Sequence, residues 1–404
     1  EVTRFGAIGL RTGGEVLFKI APYAPLSCMI SVCAAGWLAY RGMEKFADGE
    51  KRVFDEEHHR FIAGIDSQSY APYVCCPVLL LSAVNDKKHD YDRVYDTFQQ
   101  LNPAVDKAFL YSSHGNGLIG MHSLADIDLF LDKYLKARSV FLCEPIGLTV
   151  EEDEEGNLVA RATFDEEGEL RECGIFYTER ITGSHARDWT RVLGSAAQVN
   201  GNVGTFPLSL YEKSSRALVY AFANYSNNFS VTSKIQEVIV KKPYKNVCFR
   251  SRIIYSSERD GLNGISGFRR RARSIADCFA DEKGVDAKLL PGYGGIMGAT
   301  AEAGLVSYRV NEPRYAAPEG ASLRLDAYCR EDATLKVTFY FDDGEENGFS
   351  AEVRVAGGGK WKSILLDAAD FKSATGVHME SFSAALSLVF VGSAEVLVNN
   401  VLWI

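Results

Sequence analysis

Chemistry in this chain concentrates first at Gly9-Leu10-Arg11-Thr12-Gly13-Gly14, between an apolar strand pattern and a helical one. Glycines let such a turn bend sharply and bring strand and helix close together. The helix start offers N–H groups and a positive dipole end to an anion or a developing oxyanion. A hydroxyl at the tip of that turn would be placed to attack an acyl carbon. The tip is Arg11, whose guanidinium stays protonated and is no nucleophile. Thr12 stands one residue off the tip and points elsewhere, so it is a poor substitute.

Other titratable groups read more plainly. His58 and His59 lie in the charged run Asp55 to Arg60, where adjacent side chains diverge on a helix and make no metal site. His89 stands with Asp86, Asp90 and Asp92 in a polar loop opening a helix, with Asp90 as N-cap candidate. The nine cysteines form no CxxC pair, which argues against a zinc ribbon or a redox pair. Their apolar neighbours suggest reduced, buried thiols and tilt the expected compartment towards the cytoplasm, although a glycan-binding role would favour export. Neither a metal nor a cofactor is expected. Arg269, Arg270, Arg271 and Arg273 read as a solvated face. The net charge of −9 argues against a nucleic-acid partner. No apolar run approaches the roughly 18–20 residues of a membrane span.

The elements that must position the turn follow from periodicity. Phe5 to Leu10, Ser27 to Cys33, Pro77 to Ser82 and Lys107 to Tyr111 read as strands apolar on both faces. Gly14 to Ile20, Asp92 to Leu101 and Leu124 to Lys136 read as helices, the last with Leu124, Ile127, Phe130 and Leu131 on one face. Strands alternating with helices predict a parallel sheet covered on both sides. Glu44 to Glu57 reads as a cap-like insertion with its charges on a solvated face. After Arg138 the period becomes two. Glu172 to Thr178, Leu218 to Asn224 and Gln236 to Val240 predict a β-sandwich, with Trp189 expected in its core. A third β block has strands at Ser322 to Tyr328, Thr334 to Phe341, Ala351 to Val355, Trp361 to Leu366, Ala384 to Val391 and Ala394 to Leu402.

On these residues the first 138 positions resemble the serine esterases of the dienelactone-hydrolase and acetyl-xylan-esterase kind, which are α/β-hydrolases. The resemblance rests on Gly9, Thr12, Gly13 and Gly14 around the turn, Asn85-Asp86 directly after the strand Val78 to Ser82, and Ser112-Ser113-His114-Gly115. It implies that Arg11 occupies the nucleophile position, Asp86 that of the acid and His114 that of the histidine, with His122 as rival to His114. Three readings of Arg11 stay open: a degenerate site in which it pairs with Asp86, a holder of a carboxylate or other anion, or a surface turn residue. The chain opens inside an apolar strand at 4–9, so it is expected to continue a longer polypeptide or to pair there with another copy or chain.

The last block is similar to jelly-roll carbohydrate-binding modules through Trp361 to Leu366, Ala369-Asp370-Phe371 and the closing Val398 to Ile404. Tyr293, Tyr308, Tyr315 and Tyr340 are its candidate sugar-stacking residues. The expected architecture is thus a partial α/β-hydrolase over 1–138, a β-sandwich over 139–243 and a jelly roll over 244–404. The expected function is an esterase-related protein impaired at Arg11, or a non-catalytic binder of glycans or anions. Its expected ligand is a carbohydrate or an ester.

Overall fold

The structure is a computed structural model that describes residues 3–34, 36–47, 54–86, 89–112, 122–194, 199–241, 243–268, 287–342 and 347–404. Its first region is a parallel sheet of β1 (Gly6–Leu10), β2 (Cys28–Val32), β3 (Val78–Ala83) and β4 (Lys107–Ser112), in that spatial order. The helices are α1 (Thr12–Ile20), α2 (Glu56–Gly64), α3 (Tyr91–Gln100) and α4 (His122–Tyr134). Strands β2 and β3 are buried along their whole length, as unbroken apolar runs require when both faces are covered. On one side Phe18, Tyr91, Val94 and Phe98 pack on Met29, Leu80 and Phe109. On the other, Ile127 and Phe130 of α4 pack on Ile30, Leu79 and Leu110. Strand β1 forms one end of the sheet, with Phe5 and Ile8 exposed beside it.

The second region has two facing antiparallel sheets. One holds β5 (Gly147–Glu152), β6 (Leu158–Thr163), β9 (Val199–Asn200) and β10 (Val203–Pro207). The other holds β7 (Leu170–Thr178), β8 (Thr190–Leu193), β11 (Arg216–Tyr225), β12 (Ser230–Thr232) and β13 (Gln236–Ile239). Strand β11 is apolar at consecutive positions because it is buried on both faces. Ala217, Val219, Ala221 and Ala223 face the sandwich core. Leu218 and Tyr220 join Phe109 and Tyr111 in the core of the parallel sheet instead. The outer edge of β4 is met there too, where the Tyr111 N–H donates to the Thr232 hydroxyl at 2.9 Å.

A third region repeats the two-sheet plan. Leu397–Trp403 lies between Met297–Thr300 and Leu323–Tyr328, and Ile253–Tyr255 also pairs with it. The facing sheet includes Ala333–Tyr340 between Gly348–Val355 and Ser387–Gly392. Trp403 and Phe371 sit in the core between the sheets. Among the described residues no helix is long and apolar enough to cross a membrane.

Two details differ from the sequence reading. Asp90 precedes α3 but makes no capping bond, because its carboxylate pairs with Arg93. Glu44 is not on a solvated face; it accepts N–H groups from Gly183 and Ser184 and so ties the insertion to the second region. Helix α2 starts from Asp55, whose side chain accepts the His58 N–H at 2.9 Å and meets the His58 ring at 2.7 Å. His58 is thereby a capping neighbour, and among the described residues no cluster of three metal-ligating side chains occurs. Most described cysteines are buried, Cys75 and Cys248 being the exceptions, and all are free thiols. Arg269, Arg270, Arg271 and Arg273 lie outside the described residues.

Candidate functional site

The turn at Arg11 is built by close approach of β1 and α1. A Cβ on Gly9 would stand 2.4 Å from the Gly13 carbonyl oxygen, and one on Gly14 would stand 2.6 Å from both Ser31 Oγ and Ala34 Cβ. Those two glycines are therefore steric necessities. Gly13 is not, since a Cβ there meets nothing within 4 Å. Between them Arg11 takes φ 52° and ψ −118°, a backbone conformation costly for a residue with a side chain. Its N–H is tied to the Val32 carbonyl at 2.8 Å, which anchors the tip to the end of β2. Arg11 is partly buried and Thr12 is exposed.

Asp86 follows β3 at the same, carboxyl end of the sheet and is 4% exposed. Its carboxylate accepts the His89 N–H at 3.3 Å and lies 3.5 Å from the His89 ring. His89, read from sequence as loop polarity, is thus part of the setting of Asp86. His114 lies outside the described residues. His122 opens α4.

The carboxyl ends of β3 and β4 also open into a cavity of about 850 Å³ where the three regions meet. The first region supplies Asn85, Tyr111 and Ser123; the second supplies Phe176, Trp189, Tyr220 and Phe222; the third supplies Asn263 and Tyr308. Among the described residues its lining does not include Arg11. Ligands of open parallel sheets bind at this end of the strands. Trp189 packs edge-on against Tyr220 at 5.0 Å and Tyr220 stacks on Phe176 at 5.2 Å, so the wall is a continuous aromatic surface. The buried phenols of Tyr111 and Tyr220 are pushed well above their ordinary range by desolvation, which keeps both neutral.

One segment holds this junction together. Arg187 reaches back to α3 and grips Asp92 with two hydrogen bonds of 2.6 and 2.9 Å. Asp188 faces forward to Arg309 at 3.4 Å, and Arg309 also pairs with Asp260 at 2.9 Å. Trp189 then lines the cavity between them. Of the tyrosines singled out from sequence, Tyr308 lines the cavity, Tyr315 is core, and Tyr293 is exposed.

No protein-family model matches the chain, and no curated protein does. Among solved structures it is similar to the 2,6-dihydroxy-pseudo-oxynicotine hydrolase, at 20% identity over 33% of this chain, with a TM-score of 0.26. That match spans 41% of the hydrolase's own length. It is also similar to a family 11 carbohydrate-binding module from Clostridium thermocellum, at 14% identity over 30% of this chain and 81% of the module, with a TM-score of 0.22. A third likeness, at 8% identity and a TM-score of 0.18, is to SGBP-B from a xyloglucan utilization locus in Bacteroides uniformis, over 64% of this chain and 99% of that one. The likenesses are general ones, to a hydrolase and to carbohydrate-binding folds.

Close to the cavity, Asp126 of α4 is fully buried and accepts the Ser230 N–H at 2.6 Å. Burial pushes its carboxyl up to about 8. Between the unfolded value near 4 and that folded value, the native state holds a proton that the unfolded chain has released. Stability therefore falls as pH rises through this window and levels off above it. Asp126→Asn removes this contribution, worth about 3 kcal/mol between pH 5 and 7. Glu312, also pushed up to about 8 by burial, keeps its own contribution of the same sign. Urea unfolding at several pH values checks this; an Asp126→Asn curve parallel to wild type would refute it.

Proposed function

We propose that the first region is an α/β-hydrolase unit of the dienelactone-hydrolase and acetyl-xylan-esterase kind whose serine chemistry has been lost at Arg11. The observation that carries this reading is the backbone of Arg11 itself. A strained tip at φ 52° and ψ −118° is of use to a nucleophile that must stand clear of the turn. Asp86, buried past the end of β3, supports the same reading. With residues 139–243 as a sandwich and 244–404 as a jelly roll of the carbohydrate-binding kind, the whole is an esterase-derived protein.

A serine at position 11 would attack the ester carbonyl and pass its proton to His114, which Asp86 would orient. The Thr12 N–H, at the start of α1, would face the oxyanion. Arginine offers no lone pair at any working pH, so the cycle cannot start. The native chain should leave p-nitrophenyl acetate at its background rate. Arg11→Ser should hydrolyse it with saturation, at least about 100-fold above wild type, and His114→Ala should abolish the gain. An Arg11→Ser protein that melts like wild type and stays inert would refute the reading.

A further inference from the structure

We propose that the seam between the second and third regions is a proton-operated latch, closed while Glu312 is protonated and released as that proton leaves. It stands apart from the esterase reading, since none of its groups belongs to the turn at Arg11. Glu312 joins two short helical turns of the third region, Arg309–Asn311 and Pro313–Tyr315, and its side chain crosses the seam. One carboxyl oxygen accepts the Thr178 hydroxyl at 3.0 Å, and the carboxyl also takes the Asp188 N–H, both from the second region. Glu312 is 6% exposed and Thr178 2%, so the seam is closed to water at this point.

The charges around this carboxyl do not balance it. From the second region, Asp188 and Glu179 both stand close enough to repel it. From the third, Arg309 faces the seam but is shared by Asp188 at 3.4 Å and Asp260 at 2.9 Å. Arg314 lies over the Tyr315 ring, donates to the Phe249 carbonyl at 3.2 Å, and acts on Glu179 and Asp188. Tyr177, Tyr315 and Cys248 complete the surroundings, and burial holds all three neutral. Among the described residues no lysine or arginine forms an ion pair with Glu312. Ionised, it would be a buried anion beside two other carboxylates, and protonation avoids that.

The rest of the seam is held by neutral hydrogen bonds. Asn263 exchanges two with the Arg191 backbone, at 3.2 and 3.1 Å, and Asn311 donates to the Ala186 carbonyl at 3.1 Å. The chain crosses from the second region to the third once, over residues 240–252. Cys248 is tied to the second region through Leu210 and Glu212, and Ser251 to the third through Arg314. Phe249 and Arg250, exposed between them, form the pivot. The seam borders the cavity, whose lining includes Asp188 and Arg191 on one side of it and Asp260 and Asn263 on the other, so release widens the cavity.

In the closed seam, burial first and then Asp188 and Glu179 push Glu312 up to about 8. Opening returns it to water and to about 4.3. Between those values the closed form keeps a proton that the open form has released. The closed-to-open ratio therefore falls about tenfold per pH unit as pH rises through this window, and levels off above it.

The test is hydrogen exchange by mass spectrometry on the full chain between pH 5 and 7, with rates corrected for the ordinary rise of amide exchange with pH. The amides to follow are those of Asp188 and Arg191, both bonded across the seam. Their protection should fall about 50- to 100-fold over this range, while the third-region strand Ala333–Tyr340 stays better protected at every pH. Glu312→Gln keeps an acceptor and cannot ionise, so it should make seam protection independent of pH. Glu179→Gln removes one facing carboxylate and keeps an acceptor for the Tyr211 N–H, so the fall should level off at lower pH. Asp126→Asn, in the first region, should leave the fall at the seam intact. The proposal is overturned by seam protection that wild type keeps across the range, or by an equal fall in Glu312→Gln. It is overturned equally by seam amides that exchange no faster than Ala333–Tyr340, since the seam would then open only when the whole chain unfolds.

Discussion

Replacing Arg187 by methionine is expected to lower the unfolding free energy by about 3–5 kcal/mol, as measured by urea denaturation. The side chain is wholly inaccessible to solvent, and so, within 1%, is its partner Asp92. Its guanidinium meets both carboxylate oxygens, donates to the Tyr91 hydroxyl at 2.9 Å and to the Ile181 carbonyl at 2.5 Å, and lies over the Tyr91 ring. Methionine fills much of the space but leaves Asp92 charged, buried and alone. That uncompensated charge is the source of the loss, more than the attraction given up. Removing both charges in Arg187→Met with Asp92→Leu should therefore recover most of the stability. A single variant within about 1 kcal/mol of wild type would mean that water reaches the pair. The same variant should loosen the cavity, because Asp188 and Trp189 follow directly in sequence. Faster hydrogen exchange in β8 and α3 would report that loosening.

The strands of the parallel sheet were legible because burial on both faces writes itself into the sequence as unbroken apolar runs, as in Val78-Leu79-Leu80-Leu81. The turn at Arg11 was legible for a local reason also: only glycine at position 9 permits the approach of the following helix. The third region was harder. Ile253–Tyr255, Met297–Thr300 and Leu305–Ser307 are short, and they exist because longer strands such as Leu397–Trp403 and Ser387–Gly392 pair with them. No periodicity can accumulate over three or four residues. The cavity was not legible at all. Asn85, Trp189, Tyr220 and Asn263 are brought together by packing of three regions, and no local pattern encodes that meeting. Trp189 shows the limit well. Packing against Tyr220 agrees with the expected core role, yet the same residue lines the cavity.

Gly9→Ala is expected to destabilise the protein by about 3 kcal/mol, whereas Gly13→Ala should stabilise it by about 0.5–1 kcal/mol. The two glycines flank the same tip, Gly9 at the end of β1 and Gly13 in the first turn of α1. A methyl on Gly9 would meet the Gly13 carbonyl at 2.4 Å and 2.5 Å and the Gly14 nitrogen at 2.6 Å, all of them backbone atoms. No side chain can rotate away, so the first turn of α1 must lift off β1. That lift would also strip Gly14 from its fit against Ser31 and Ala34. At Gly13 the methyl enters open space inside a helix, where alanine loses less backbone freedom on folding than glycine. Thermal unfolding of the two variants beside wild type separates the cases. Equal destabilisation by both would show that helix α1 is not docked on β1 as described. Opposite signs would show that the turn is held by one unavoidable contact, and that the strain at Arg11 is sustained by the docking of α1 against β1 and β2.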